Sequence, residues 1–498
     1  MEKRVQLLFV CSRIKTGCGK DRPELRPERS FYFMENASNS FMVTEKTGTL
    51  MKKFALPCII SLLVGALYNI VDQIYIGWGV GYLGNGATNV VFPLTVAALA
   101  VAVMIGDGAC SFISLCLGRK DPDNASHAVG NAVLLSVFCG ILIMVLYLSF
   151  RDPILWLFGA TDKNISYARD YFTWISAGIP FYVFGQAMNP IIRSDGSPRY
   201  AMYSTLAGAI LNVFLDPVAI FLLHWGVMGA AVATVVGQIV TAVMAVLYLL
   251  HMKAVRLNRK SFRFSAAITG RYLPLGFCSF LSQISMVVAM AATNNMLVIY
   301  GAKSIYGADI PLTVLGIVMK IFQIIISIVV GMAAGCIPIV GFNYGAQRFD
   351  RAREIMRKLL TAEAILGLIS LALVEIFPRQ LIGIFGSENE LYNSFAVMTF
   401  RIYLSMITLA CVNKATFIFM QSLGKSLEST LLSLFREIVL GVSLVILLPK
   451  FMGLNGVLYS MPVADILTFA ASAVIILKTN RELKEKESVP QEVQVSEA

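Results

Sequence analysis

Two aspartates, Asp72 and Asp216, stand inside long apolar runs of a chain of 498 residues. A carboxylate within a membrane costs about 2.5 kcal/mol or more, so each needs a partner or a task. Helical spacing gives both a setting. Ser61, Gly65, Tyr68 and Asp72 fall on one helix face, Thr205, Gly208, Asn212 and Asp216 on a second, and Thr234, Gln238 and Thr241 on a third. Counted along the helix axis, Asp72 lies about 8 Å, and Asp216 and Thr234 about 10 Å, below the outer ends of their runs. Polar groups at one depth on three helices, with small residues between them, can meet. Two ionised aspartates there would repel, so at least one is suited to taking up a proton or a sodium ion. The plainer alternative is interhelical hydrogen bonding that serves structure only. It weighs more for Asn212 and Thr234 than for the aspartates.

The elements that carry these residues are membrane spans. Hydrophobic residues make up 57% of the chain and charged ones 14%, with a mean hydropathy of +0.72, which excludes a soluble globular class. Runs long enough to cross a bilayer recur at 54–77, 88–117, 128–150, 167–192, 201–223, 227–250, 272–299, 310–341, 357–377, 391–420, 428–449 and 456–478. The expected class is all-α integral membrane protein with twelve transmembrane helices. Arginine and lysine gather after spans 2, 4, 6 and 8, while Gly79 to Ala87 and His224-Trp225-Gly226 carry no formal charge, so the positive-inside rule puts both termini in the cytoplasm. In this setting the net charge of +11 sets orientation and does not imply nucleic acid.

A basic connection, 251–271, divides the chain into six-helix halves at 54–250 and 272–478, flanked by an N-terminal extension, 1–53, and a tail, 479–498, both expected on the cytoplasmic side. The halves repeat. Gly118 recurs as Gly345, Leu157-Phe158-Gly159 as Ile384-Phe385-Gly386, and Gly226 with Gly229 as Gly453 with Gly456, each at an offset of 227. Ser194 and Gly196 recur as Ser422 and Gly424 at 228, and Pro57 as Pro274 at 217, so an insertion lies around spans 7 and 8. A parallel repeat of this kind places a substrate cavity between the halves and favours transport over an enzyme or receptor. It also supplies an internal control. Asp72, Asn212, Asp216 and Thr234 answer to Ala289, Leu440, Leu444 and Met461, so folding alone does not demand the polar set. The second half has charges of its own, among which Lys320, Arg401 and Asp465 lie at similar depth and could form a buried ion-pair group, structural or coupled to transport.

Other chemistries find little support. The nine cysteines follow no zinc or disulfide spacing, the three histidines fall near helix ends, and neither His-Glu-x-x-His nor a nucleotide-binding Gly-x-x-x-x-Gly-Lys-Ser/Thr loop is present. No enzyme, cofactor or metal is expected beyond sodium at Asp72 and Asp216. Residues 1–33 are basic and irregular, and Met34 reads as an alternative start.

Five stretches together resemble the MATE (multidrug and toxic compound extrusion) family, near its DinF-like and MepA-like prokaryotic branches. They are Tyr68-Asn69-Ile70-Val71-Asp72, Arg193-Ser194-Asp195-Gly196-Ser197-Pro198, Asn212-Val213-Phe214-Leu215-Asp216-Pro217, Gly226-Val227-Met228-Gly229-Ala230-Ala231 and Phe342-Asn343-Tyr344-Gly345-Ala346. The resemblance covers roughly Phe54 to Lys478. It implies two six-helix bundles facing each other in a V, in the plasma membrane of a prokaryote, working as a monomer. It further implies export of small amphipathic, cationic compounds by antiport with protons or sodium. By the same resemblance Asp72, Asp216, Asn212 and Thr234 form the cation-coupling site. Tyr68, Tyr171 and Asn189, joined by Gln238, would line the substrate cavity. Another branch binds sodium through acidic residues in spans 7 and 10. This chain has no Asp or Glu between Tyr272 and Tyr300 or between Leu391 and Gly424, so coupling is expected in the first half. The nearest alternative is a flippase for a lipid-linked substrate.

Overall fold

The computed structural model describes residues 41–307, 309–383 and 390–488, and Met42 onward forms one compact unit. The alternative start at Met34, the repeat partners Ile384, Phe385 and Gly386, and the end of the tail lie outside the described residues. Among the described residues there are twelve helical spans and no strand. The first half comprises α1 (Thr47–Gly79), α2 (Leu83–Gly118), α3 (Pro122–Ser149), α4 (Ile165–Ser194), α5 (Pro198–Leu222) and α6 (Gly226–Leu249). The second comprises α7 (Ala266–Gly301), α8 (Ile310–Gly345), α9 (Phe349–Ile376), a tenth span in two pieces, α10 (Glu390–Tyr403) and α11 (Ile407–Ser422), then α12 (Ser426–Met452) and α13 (Leu454–Ser488).

Ten of these helices are long and apolar enough to span a membrane, and the α10–α11 pair, bent by 44°, makes an eleventh. The twelfth is α4, whose polar content has a structural reason. Its first turns carry Arg169, which forks onto Asp152 (Nε to Oδ1 3.0 Å, Nη2 to Oδ2 2.9 Å) in the short helix Arg151–Leu157. The remainder packs between α2, α3 and α6, where its polar groups face protein. α7 begins at Ala266, inside the stretch expected as linker.

Local signals set the helix starts. Asp121 caps α3 by accepting from Asn124 N–H at 3.1 Å, with Pro122 at the first turn, and Ser265 caps α7 through Ile268 N–H. The repeat is visible in backbone detail. Gly196 and Gly424, at φ 84° and 82°, close the fourth span of each half. The same pair of turn bonds recurs there, from Gly196 N–H to Arg193 O (3.0 Å) and Ser197 N–H to Ile192 O (3.3 Å), and from Gly424 N–H to Gln421 O and Lys425 N–H to Met420 O (both 3.1 Å). The insertion is shared between α7, which runs further past Pro274 than α1 does past Pro57, and the turns after Gly301.

The halves meet through α1 on α8, α2 on α7 and α2 on α8. Gly118 and Gly345, repeat partners, touch directly, and a side chain on either would strike the other helix's backbone. Close backbone approach of this kind is how helices associate where no water drives burial. The basic connection between the halves is latched down. Asp195 accepts from Tyr248 OH (2.7 Å) and from the N–H groups of Lys253 (2.7 Å), Ala254 (2.8 Å) and Val255 (3.1 Å). Further along, Asn131 donates to Arg263 O and accepts from Ser265 N–H.

Candidate functional site

The polar set of the first half is assembled by glycine. Gly208 on α5 and Gly237 on α6 face each other so closely that a Cβ on Gly208 would lie 2.5 Å from Gly237 O, and one on Gly237 2.6 Å from Gly208 O. One turn along each helix, that approach brings Asn212 and Thr234 together. Asn212 Nδ2 donates to Thr234 Oγ1 at 3.2 Å and to Asp216 Oδ1 at 3.0 Å. Immediately after Asp216-Pro217 the helix widens into a π-turn, Val218–Leu222. Proline removes a backbone donor and π-turns concentrate at functional sites. α1 packs against α5 and carries Asp72 to within hydrogen-bonding reach of Asp216.

Both carboxyls are buried, Asp72 at 7% and Asp216 at 0% exposure. Asp72 Oδ1, Asp216 Oδ2 and Asn212 Oδ1 are buried and receive no hydrogen bond from any protein donor. Such a cluster is rich in acceptors and short of positive charge. A proton shared between the carboxyls, or a small cation among these oxygens, would satisfy it.

Beside the pair lies a cavity of about 50 Å³ whose lining includes Tyr68, Phe181, Tyr182, Asn212, Thr234 and Gln238. None of the lining side chains is basic. That volume holds only a few water molecules and is well below the roughly 300 Å³ at which drug-sized pockets begin. Tyr171 is 8% exposed and stands within electrostatic reach of Asp72 and Asp216 without lining the cavity. Asn189 does not line the cavity either but adjoins it, bonded to Ala201 O and to the lining residue Thr205 through Oγ1, at 3.0 Å each.

The expected grouping of Lys320, Arg401 and Asp465 does not form. Arg401 pairs with Glu375 at 3.4 Å with its side chain 55% exposed, and Lys320 is exposed on α8. The depth count assumed a straight tenth span, and the 44° bend between Tyr403 and Ile407 redirects it. Asp465 pairs instead with Arg436 (Nε to Oδ1 2.8 Å), Arg436 with Glu437 (2.9 Å), and Glu437 with Lys414 (3.2 Å). Arg436 and Glu437 sit in a second π-helical stretch, Phe435–Val442.

Two further carboxylates inside spans, Asp107 and Glu363, were visible as such in the sequence but not singled out there. Asp107 on α2 accepts from Ser279 Oγ on α7 at 2.9 Å and faces Arg193 Nη2 on α4 at 3.9 Å, while Arg193 also contacts Cys58 Sγ on α1. Ser279 continues to Gln421 on α11. This buried network ties the two halves together.

The chain is 23% identical over 474 residues to the multidrug export protein MepA of Staphylococcus haemolyticus, covering 93% of this chain and 99% of that protein. It is 22% identical to its counterpart in Staphylococcus aureus strain NCTC 8325, covering 86% and 92%. A solved structure of an outward-facing multidrug resistance MATE family transporter of the MOP superfamily superimposes with a TM-score of 0.82 at 24% identity, over 89% of this chain and 98% of that one. A MOP superfamily transporter from Pyrococcus furiosus, described as having a binding pocket of reverse polarity, gives 0.82 at 23%, over 91% and 99%. The MatE family model matches residues 57–218 and 279–447, one segment in each half and together well over half of the chain. The chain therefore belongs to the MatE family of membrane transporters.

Proposed function

We propose that this transporter exports small amphipathic cations in exchange for protons or sodium ions, with Asp72 and Asp216 as the coupling site. The observation that carries the reading is the buried pair itself, two adjacent carboxyls whose free oxygens find no donor. The names of the Staphylococcus relatives, multidrug export proteins, support the substrate class. The aromatic faces of Tyr68, Phe181 and Tyr182 beside the pair suit a small coupling cation.

In the mechanism, ion binding neutralises the pair and lets α1 repack against α5, favouring the conformer that releases substrate outward. Only a difference in ion affinity between the two conformers can drive the exchange. Asn212 orients Asp216, and Thr234 orients Asn212. The cavity beside the pair is too small for the substrate, which is taken up between the halves. The basic connections face the cytoplasm, as the positive-inside rule requires.

Efflux of a cationic dye from reconstituted vesicles, under an imposed pH gradient or sodium gradient, tests this reading. Gradient-driven movement that is lost in both D72N and D216N supports it and names the ion. If both variants move dye as well as the parent, coupling lies elsewhere. If folded parent protein moves no dye under either gradient, a lipid-linked substrate becomes the better reading.

A further inference from the structure

The second half lacks the aspartate pair, yet it too buries a carboxyl completely. Glu363 on α9 is 0% exposed, and neither Oε1 nor Oε2 has a hydrogen-bond partner. The titratable side chains within its electrostatic reach are two thiols, Cys336 on α8 and Cys411 on α11. The charges on the elements packed around α9 are paired elsewhere: Arg401 of α10 with Glu375 at the far end of α9, and Lys414 of α11 and Asp465 of α13 with Glu437 and Arg436. Lys358 is engaged with Glu354 and Thr47 about 8 Å further along the helix axis, and Arg353 with Glu487 of α13 about 15 Å along. On α1, Lys53 pairs with Glu45. An ionised carboxylate in such surroundings would face no compensating charge, so the side chain holds a proton here.

The repeat shows that folding does not require an acid at this place. Gly367, one turn after Glu363, packs on α11 with a Cβ position 2.6 Å from Thr408 Cα, and its repeat partner Gly140 packs on α4 with a Cβ position 2.8 Å from Pro180 Cα. The two contacts are equivalent, and they align Glu363 with Ser136. Ser136 is equally buried, and its hydroxyl is satisfied by Val133 O at 2.9 Å. Where one half has a small, self-satisfied hydroxyl, the other has a carboxyl with both oxygens unmet. Thr408 Oγ1, on the helix that Gly367 touches, is also buried without a partner. A single carboxyl with thiols and one hydroxyl nearby offers too few oxygens for a hard cation, which takes six or more, whereas a proton needs one.

We propose that Glu363 is a second proton-binding site of this transporter, located between α8, α9 and α11 and separate from the Asp72–Asp216 pair. It takes up its proton in the conformer described here and releases it when these helices repack and admit water. Its part in transport rests on the coupled-exchange reading; its existence as a proton site does not.

The first measurement is therefore independent of transport. Full-length protein is treated with dicyclohexylcarbodiimide, which modifies protonated carboxyls in apolar surroundings, across a pH series, and the adducts are mapped by mass spectrometry. Labelling of Glu363 that falls as pH rises, and vanishes in E363Q, is the expected result. Absence of Glu363 labelling at every pH, or labelling suppressed by sodium at constant pH, overturns the assignment. The second measurement counts protons exchanged on adding a cationic dye to weakly buffered protein, where E363Q should exchange one fewer than the parent. An unchanged count in folded E363Q reduces Glu363 to a structural residue. Should E363Q fail to fold, E363D keeps the carboxyl and must show pH-dependent labelling at position 363 with a displaced midpoint.

Discussion

Gln238 and Asp465 hold the same place in the two halves, 227 residues apart, yet Gln238 lines a cavity while Asp465 closes an ion pair with Arg436. The correspondence extends to the rest of the second-half charge group. At an offset of 228, Lys414 answers to Gln186, Arg436 to Gly208 and Glu437 to Ala209, all three of which line the first-half cavity. The second half has filled with four paired charges the space that the first half keeps open beside its aspartates. One architecture thus carries a buried carboxyl pair beside a cavity on one side and a braced core on the other.

The brace should show in stability. D465A leaves the buried Arg436 guanidinium with only Glu437, and breaking a buried pair from one side costs about 3 kcal/mol or more. The double variant R436M/D465L removes both members and leaves Lys414 with Glu437, so it should recover most of that loss. Thermal unfolding in detergent measures both. A D465A protein as stable as the parent would show that the quartet is not a brace.

Close approach of α5 and α6 is the next point of leverage. G237A places a methyl group 2.6 Å from Gly208 O, and overpacking of this sort costs about 1–3 kcal/mol. The same displacement moves Thr234 away from Asn212, so efflux should fall further than stability. G229A, at a contact between α6 and Ala219 beyond the aspartates, serves as the comparison. Equal transport in G237A and the parent would mean that the Asn212–Thr234 bond is not needed.

Much of this was legible in the sequence. Apolar length gave twelve spans, helical spacing put Asp72, Asp216 and Thr234 at one depth with Asn212 on the face of Asp216, and paired glycines disclosed the repeat. Those features are local or periodic, which is why they could be read. The ion-pair partner of Asp465 could not, because Arg436 reaches it from a different helix and no local period links the two. Asn189 stands one hydrogen bond from the cavity and not on its wall. Its position in the chain is near the cavity lining, but its amide is engaged by Ala201 O and Thr205 on α5. Asp107 and Glu363 carried the same signal as Asp72, a carboxylate inside a span, and what sets them apart is their surroundings alone.

Asp195 offers a test of the connection between the halves. Its carboxylate gathers three backbone N–H groups and one tyrosine hydroxyl, and hydrogen bonds to a charged group contribute about 1.5–3 kcal/mol each. D195A should free the segment holding Arg256, Arg259 and Lys260, and raise the rate of tryptic cleavage there by about tenfold or more. D195N keeps the shape but replaces an acceptor oxygen with a donor, and should fall between. Cleavage at the parent's rate in D195A would mean that Asn131 and the rest of the connection suffice.

The last prediction concerns the order of effects around the aspartate pair. Asn212 is held by two bonds, one to Asp216 and one to Thr234, so the three residues form a chain and not a ring. D216N removes the titrating group and should abolish ion-driven efflux. N212A leaves the carboxyl but removes its only side-chain donor among the described contacts, and at about 1.5 kcal/mol for such a bond should lower coupled efflux roughly tenfold. T234A leaves Asn212 bonded to Asp216 and removes only a neutral contact, for an expected loss of about threefold. Initial rates of dye movement under a fixed gradient, normalised to protein in the vesicles, give the ranking. If T234A proved as damaging as N212A, the hydroxyl itself would have to meet the ion, and the site would be built from four oxygen-bearing residues and not from a carboxyl pair with a positioning amide.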